Sequence, residues 1–176
     1  MYIHMHKKYT GIQMESLIQV ILVGIGATLI MDLWALLLKI SFGIPSLNYG
    51  MVGRWGVYLT KGKVFHDGIM RTPPVIGENM LGWIAHYVIG IIFAILLFLV
   101  LGEKWLESPT LVPALVAGII TIVFPFFIMQ PCFGMGVAAS KLPEPNTLRF
   151  RSLLAHLSFG VGLYISAKLM MVLPLN

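Results

Sequence analysis

The chain predicts an all-α polytopic membrane protein, with four transmembrane helices as two hairpins and a short interfacial helix in the first long loop. Three observations predict it. The residues are 58% hydrophobic and only 11% charged, where an ordinary soluble domain carries about 25% charged residues. The mean hydropathy is +0.89. Four apolar runs, residues 17–40, 80–101, 111–133 and 151–173, each reach the roughly 20 residues that cross a bilayer core at 1.5 Å per residue. The 176 residues leave room for one compact transmembrane domain over 17–173, preceded by a polar segment over 1–16. The net charge of +5 reads as topology and not as nucleic-acid affinity, because the basic residues sit in loops and at span ends. The single cysteine, Cys132, excludes an intrachain disulfide and a multi-cysteine metal site.

Residues 1–16 carry Lys7 and Lys8 and resemble the n-region of a signal peptide, but the apolar run that follows is too long for an h-region and lacks an A-x-A site. It reads as an uncleaved first span, with Met14 as an alternative start. That span holds Asp32, whose carboxylate costs roughly 2.5–3.5 kcal/mol against lipid and so should face protein or water. Gly24, Thr28 and Asp32 recur at i+4 and share one helix face, where small residues permit close approach. Gly43 and Pro45 stop the helix.

Residues 41–78 form the longest connection. Met51, Val52, Trp55 and Leu59 fit one apolar face of a short surface helix, with Arg54 and Lys61 toward headgroups or water. Asn48, Tyr49 and Gly50 read most simply as a turn. The second span carries the i+4 row Gly82, His86, Gly90 and Ala94. In the third, Pro125 should kink the helix and free a carbonyl. The fourth carries His156, Gly160 and Tyr164 in a further i+4 row. The A-H-x-x-x-G match of residues 85–90 with 155–160, and the similar span ends at 41–44 and 132–135, suggest a parallel repeat of two hairpins, with chance as the alternative.

Lys39, Arg54, Lys61, Lys63, Arg71, Lys141, Arg149 and Arg151 lie on the side of the two long loops; Lys7, Lys8, Lys104 and Lys168 lie on the other. The positive-inside rule then puts the long loops in the cytoplasm and both termini outside. Arg149 and Arg151 read as positive-inside anchors before they read as an anion site.

Asp32, His86 and His156 each fall roughly 8–12 Å from the loop end of their spans, nearly one layer, with Tyr87 and Gln130 near it. Two histidines and a carboxylate are a candidate first shell for a divalent transition metal, or a proton or cation pathway. The bland alternative is that both histidines are neutral and bond to Asp32 or to backbone, as interhelical glue. A third reading places a non-covalent haem b between His86 and His156, although Gly90 and Gly160 are more simply explained by helix packing. Asn48, Tyr49, Arg54, His66, Asp67, Glu78, Gln130 and Arg149 form a further candidate polar site, with the loop pair His66 and Asp67 read more simply as a solvated loop. No P-loop, nucleophile elbow, H-E-x-x-H or dinucleotide fingerprint occurs, so no catalytic motif argues for an enzyme.

The segments GIGATLIMDLWALLL, GIPSLNYGMVGRWG, FHDGI, PPVIGENMLGWIAHYVIG, PFFIMQP and RFRSLLAHLSFGVGLY together resemble a bacterial family of four-span inner-membrane proteins, domain of unknown function 2938, over roughly residues 17–172. The resemblance implies a bacterial inner-membrane location and supplies no activity. The leading functional expectation is a small transporter-like or ion-handling protein using Asp32, His86 and His156. A metal- or haem-binding redox or assembly factor and a structural membrane protein are the alternatives. Expected partners are the lipid bilayer and, because a bundle this small encloses little cavity alone, a second copy of the chain.

Overall fold

The computed structural model describes residues 2–172, with side chains from Met14 onward, so the side chains of most of the N-terminal polar segment lie outside it. Among the described residues every regular element is helical and no strand occurs. Helix α1 (Tyr2–Phe42) carries the first span over Met14–Phe42. A short α2 (Tyr49–Thr60) follows, then α3 (Glu78–Leu101), the second span. After α4 (Glu103–Glu107), the third span, Leu111–Cys132, is built from α5 (Leu111–Thr121), a π-helical stretch (Pro125–Met129) and α6 (Gln130–Cys132). The fourth span is α7 (Pro145–Val172). The outward faces of the spans, among them Leu33, Leu37, Ile84, Val88, Ile92 and Ile120, are apolar and exposed, as a lipid-facing surface requires.

Small residues decide which helices touch. A side chain at Gly24 would lie 2.7 Å from the backbone of Ile91, and one at Gly90 would collide with Thr28, so α1 and α3 meet backbone to backbone. Gly162 approaches Ala27 to seat α7 on α1. Gly118 and Gly160 face one another to seat α5 on α7. Helices α3 and α5 scarcely touch, so the spans form an arc in the order α3, α1, α7, α5 and not a closed square.

Two apolar cores result. One ties the spans at the side of the α3–α5 turn, with Val23, Ala94, Leu97, Leu163 and the α4 cap of Trp105 and Leu106. The other lies at the long-loop side and joins Met51, Val52, Ile69, Met129, Cys132 and Phe133. Pro125 has no N–H to give the Thr121 carbonyl, and the third span widens into its π turn just there. Gly43 (φ +65°) and Gly134 (φ +80°) close the first and third spans in the left-handed conformation that glycine adopts without strain.

The short helix expected in the first long loop is present as α2, and one face of it also packs on α3. Asn48 caps it by accepting from the Gly50 N–H at 3.0 Å, so residues 48–50 are a helix start and not an isolated turn. Gly53 sits directly on the Glu78 and Gly82 backbones, and Gly82 on that of Tyr49, so α2 packs face to face on α3. Glycines at 50, 53 and 56 each weaken a helix by roughly 1 kcal/mol; close packing offsets this at Gly50 and Gly53, while Gly56 faces open space.

Candidate functional site

The i+4 row of α1 carries Asp32 toward α3, and the docking of α2 brings Tyr49 over the same point. Asp32 Oδ1 accepts from the Tyr49 hydroxyl at 3.2 Å and lies 3.0 Å from His86 Nε2; Oδ2 accepts from the Tyr87 hydroxyl at 3.0 Å. Tyr49 Oη also lies 3.0 Å from His86 Nε2. A carboxylate only accepts, so a proton on Nε2 is the arrangement that satisfies the set, which leaves Nδ1 of a neutral ring as an acceptor. Trp83 walls the group, with its ring centroid 4.3 Å from that of Tyr49. Burial, and then the charge of Asp32, pushes the Tyr49 phenol above its ordinary range, so Tyr49 stays a donor near neutral pH.

His156 takes a different partner. Its Nδ1 lies 2.6 Å from Thr121 Oγ1, and that hydroxyl gives its one proton to the Gly118 carbonyl at 2.6 Å. The imidazole Nδ1 must then donate, leaving Nε2 as an acceptor. The common Asp32, His86 and His156 shell is therefore divided: Asp32 and His86 form a pair, and His156 belongs to the contact of α7 with the third span. Among the described residues no three His, Cys, Asp or Glu side chains gather as a metal shell would require.

Arg54 also differs from its expected place. It turns inward and is 9% exposed. Its Nε and Nη2 bond Glu78 at 2.8 and 2.6 Å, and Nη1 donates to the Ile69 and Thr72 carbonyls at 2.9 and 2.8 Å. Hydrogen bonding to Glu78 raises the Arg54 pKa against the opposing effect of burial. Glu78 also accepts from the Val75 N–H at 2.8 Å, so one ion pair fastens the loop onto α2 and α3. Removing one partner of such a pair costs about 3–5 kcal/mol.

His66 is buried beneath that loop, not solvated. Its Nδ1 lies 2.9 Å from Thr72 Oγ1, its backbone N–H donates to the Cys132 carbonyl at 2.8 Å, and its Nε2 is buried without a partner among the described residues. Burial lowers its pKa, and Lys63 adds to the effect. Asp67 is exposed and contributes its backbone carbonyl to Arg71 at 2.7 Å. Arg149 holds the last loop, donating to the Ala138 carbonyl at 2.8 Å and to Asn146 Oδ1 at 2.9 Å.

Between the two cores lies a cavity of about 530 Å³ that contacts all four spans and reaches the loops at Asn48 and Leu142. Its wall is mainly apolar, with His86, His156 and Gln130 among the polar exceptions. The Gln130 Oε1 and Trp34 Nε1 atoms are buried without hydrogen-bond partners among the described residues, and both side chains line the cavity. A volume and lining of this kind belong to small-molecule sites.

The sequence placed Tyr87 near the site without a role, and offered Tyr49 as a polar candidate in what read most simply as a turn. Adjacency to His86 is the signal for Tyr87; nothing local signals Tyr49, which arrives through the packing of α2. Thr121 is visible only as a polar residue three after Gly118.

The family model described as protein of unknown function (DUF2938) matches residues 21–170. No curated protein and no solved structure matches the chain.

Proposed function

The chain belongs to the DUF2938 family, and from that premise we propose that it is a transporter-like protein of the bacterial inner membrane that handles protons through Asp32 and His86. The observation that carries this reading is the intramembrane carboxylate engaged by Tyr49, His86 and Tyr87 at 3.0–3.2 Å, with Tyr49 and His86 also lining a cavity that spans all four helices. Ionisable groups at such depth are costly and are kept where protons or ions move. His86 would take a proton from the cavity on Nδ1 and release its Nε2 proton to Asp32, and Tyr49 would hold the two in line. With the basic loops in the cytoplasm and the termini in the periplasm, the cavity faces the cytoplasm and the α3–α5 side is closed by the larger core.

A metal centre is less well supported, because among the described residues no three His, Cys, Asp or Glu side chains gather around one point. The paired left-handed glycines Gly43 and Gly134, and the matched contacts at Gly90 and Gly160, favour the parallel-repeat reading of the two hairpins.

The test is proton flux into liposomes carrying the purified protein. Asp32→Asn should lower protein-dependent flux at least about tenfold, a barrier change of roughly 1.4 kcal/mol, while thermal stability in detergent changes little. Full flux in this variant overturns the reading. Loss of stability with Asp32→Asn and also with His86→Gln, in a wild type that conducts nothing, assigns the group to structural glue instead.

A further inference from the structure

The cavity is mainly apolar along its whole length, and its one cationic group, Arg151, lies on the loop side. Toward the middle of the membrane it is bounded by Ile89, Phe93 and Phe159. Toward the loops it is bounded by Gln130, Arg151 and Ser152. Arg151 and Phe159 lie on one helix, eight residues and roughly 12 Å apart.

Arg151 is unlike the other arginines. Arg54 is held by Glu78, Arg71 by the Asp67 carbonyl, and Arg149 by Ala138 and Asn146. The Arg151 guanidinium makes no hydrogen bond or ion pair among the described residues, yet it is half-buried at the wall of an apolar cavity. Position at a span end accounts for a positive charge there. It does not account for a fork of five donors left without an acceptor in a partly desolvated place, since guanidinium groups so placed are paired.

We infer that the cavity holds an amphiphile with one anionic head group, a carboxylate or a phosphate, the head against Arg151 and the apolar body directed toward Phe93 and Phe159. The inference names the cargo of the chamber proposed above and rests on that reading only for the chamber. A carboxylate or phosphate matches the guanidinium fork. The Ser152 hydroxyl and the Gln130 side-chain N–H, both at the cavity wall, can donate to the head as well, and the apolar end excludes a small hydrophilic anion.

The experiment is equilibrium binding of radiolabelled dodecanoate, dodecyl phosphate and dodecanol to the full chain in nanodiscs of zwitterionic lipid, with empty discs subtracted. Saturable binding of at least one anion is expected, with dodecanol about tenfold weaker or worse. Preference for dodecanoate points to free fatty-acid-like cargo, and preference for dodecyl phosphate to a phosphorylated lipid. Arg151→Gln should weaken the anion about tenfold and leave dodecanol unmoved, and Arg151→Lys, which keeps the charge but not the fork, should restore part of the loss, which a folding defect would not do. Phe159→Trp, which fills the inner end, should weaken every ligand. Equal binding of dodecanol and the anions, an Arg151→Gln variant that binds as wild type, or no saturable binding overturns the inference. Binding is read without a gradient, so a protein that binds the anion and conducts no protons overturns only the proton reading.

Discussion

His66 shows at the residue scale how burial converts into pH dependence. Its ring is 5% exposed, and its pKa is lowered by burial first and by Lys63 second, with Asp67 opposing. A histidine whose folded pKa lies below its unfolded value of about 6.5 adds no penalty above that pH. As pH falls below it, the unfolded loop binds protons that the folded loop refuses, and stability is lost down to the folded pKa. The protection factors of the His66 and Ile69 amides, whose N–H groups bond the Cys132 and Phe133 carbonyls, should therefore fall between pH 7 and 5, although the intrinsic exchange rate itself slows over that range. His66→Gln should remove that acid-dependent step. Equal protection at both pH values would show that the ring is not buried in solution.

At the scale of elements, contact is governed by glycine. Gly90 and Gly160 sit where a side chain would strike Thr28 and the Ala114 backbone, respectively. Leucine at either site must separate two helices, at a cost of about 1–3 kcal/mol by analogy with overpacked cores. Gly90→Leu and Gly160→Leu should lower the detergent melting temperature by similar amounts, whereas Gly56→Leu, in open space on α2, should not lower it. Wild-type melting of both span variants would mean that the rows face lipid. The i+4 spacing made these two contacts legible in the sequence, because periodicity defines a helix face. The docking of α2 was not legible. Its apolar pattern fits a membrane surface and a protein surface equally, and only the Gly53 and Gly82 contacts separate the two.

For the whole molecule, the two ends of the bundle differ. One is closed by the core capped by Trp105 and Leu106, and the other opens through the cavity toward the loops. With the orientation proposed above, a reporter fused after Asn176 and active only in the periplasm should be active, and a fusion within the loop near Lys141 should not be. The reverse pattern would place the cavity mouth on the periplasmic side and reverse the direction from which a proton or an amphiphile enters.

Length and hydropathy are properties of the chain itself, so the four spans, the membrane class and the presence of an expensive carboxylate in the first span followed from the sequence alone. Helical periodicity added which face of each span approaches a neighbour. It could not say which neighbour, because a face has a direction only once helices are arranged around it. The arc of α3, α1, α7 and α5 put His86 beside Asp32 and gave His156 to Thr121, though all three lie at similar depth. The same tertiary packing turned Arg54 from headgroups to Glu78 and brought Tyr49 from a loop into the network. Each of these is a contact between segments far apart in the chain, and such contacts depend on how the helices are placed, which the order of residues along any one helix does not encode.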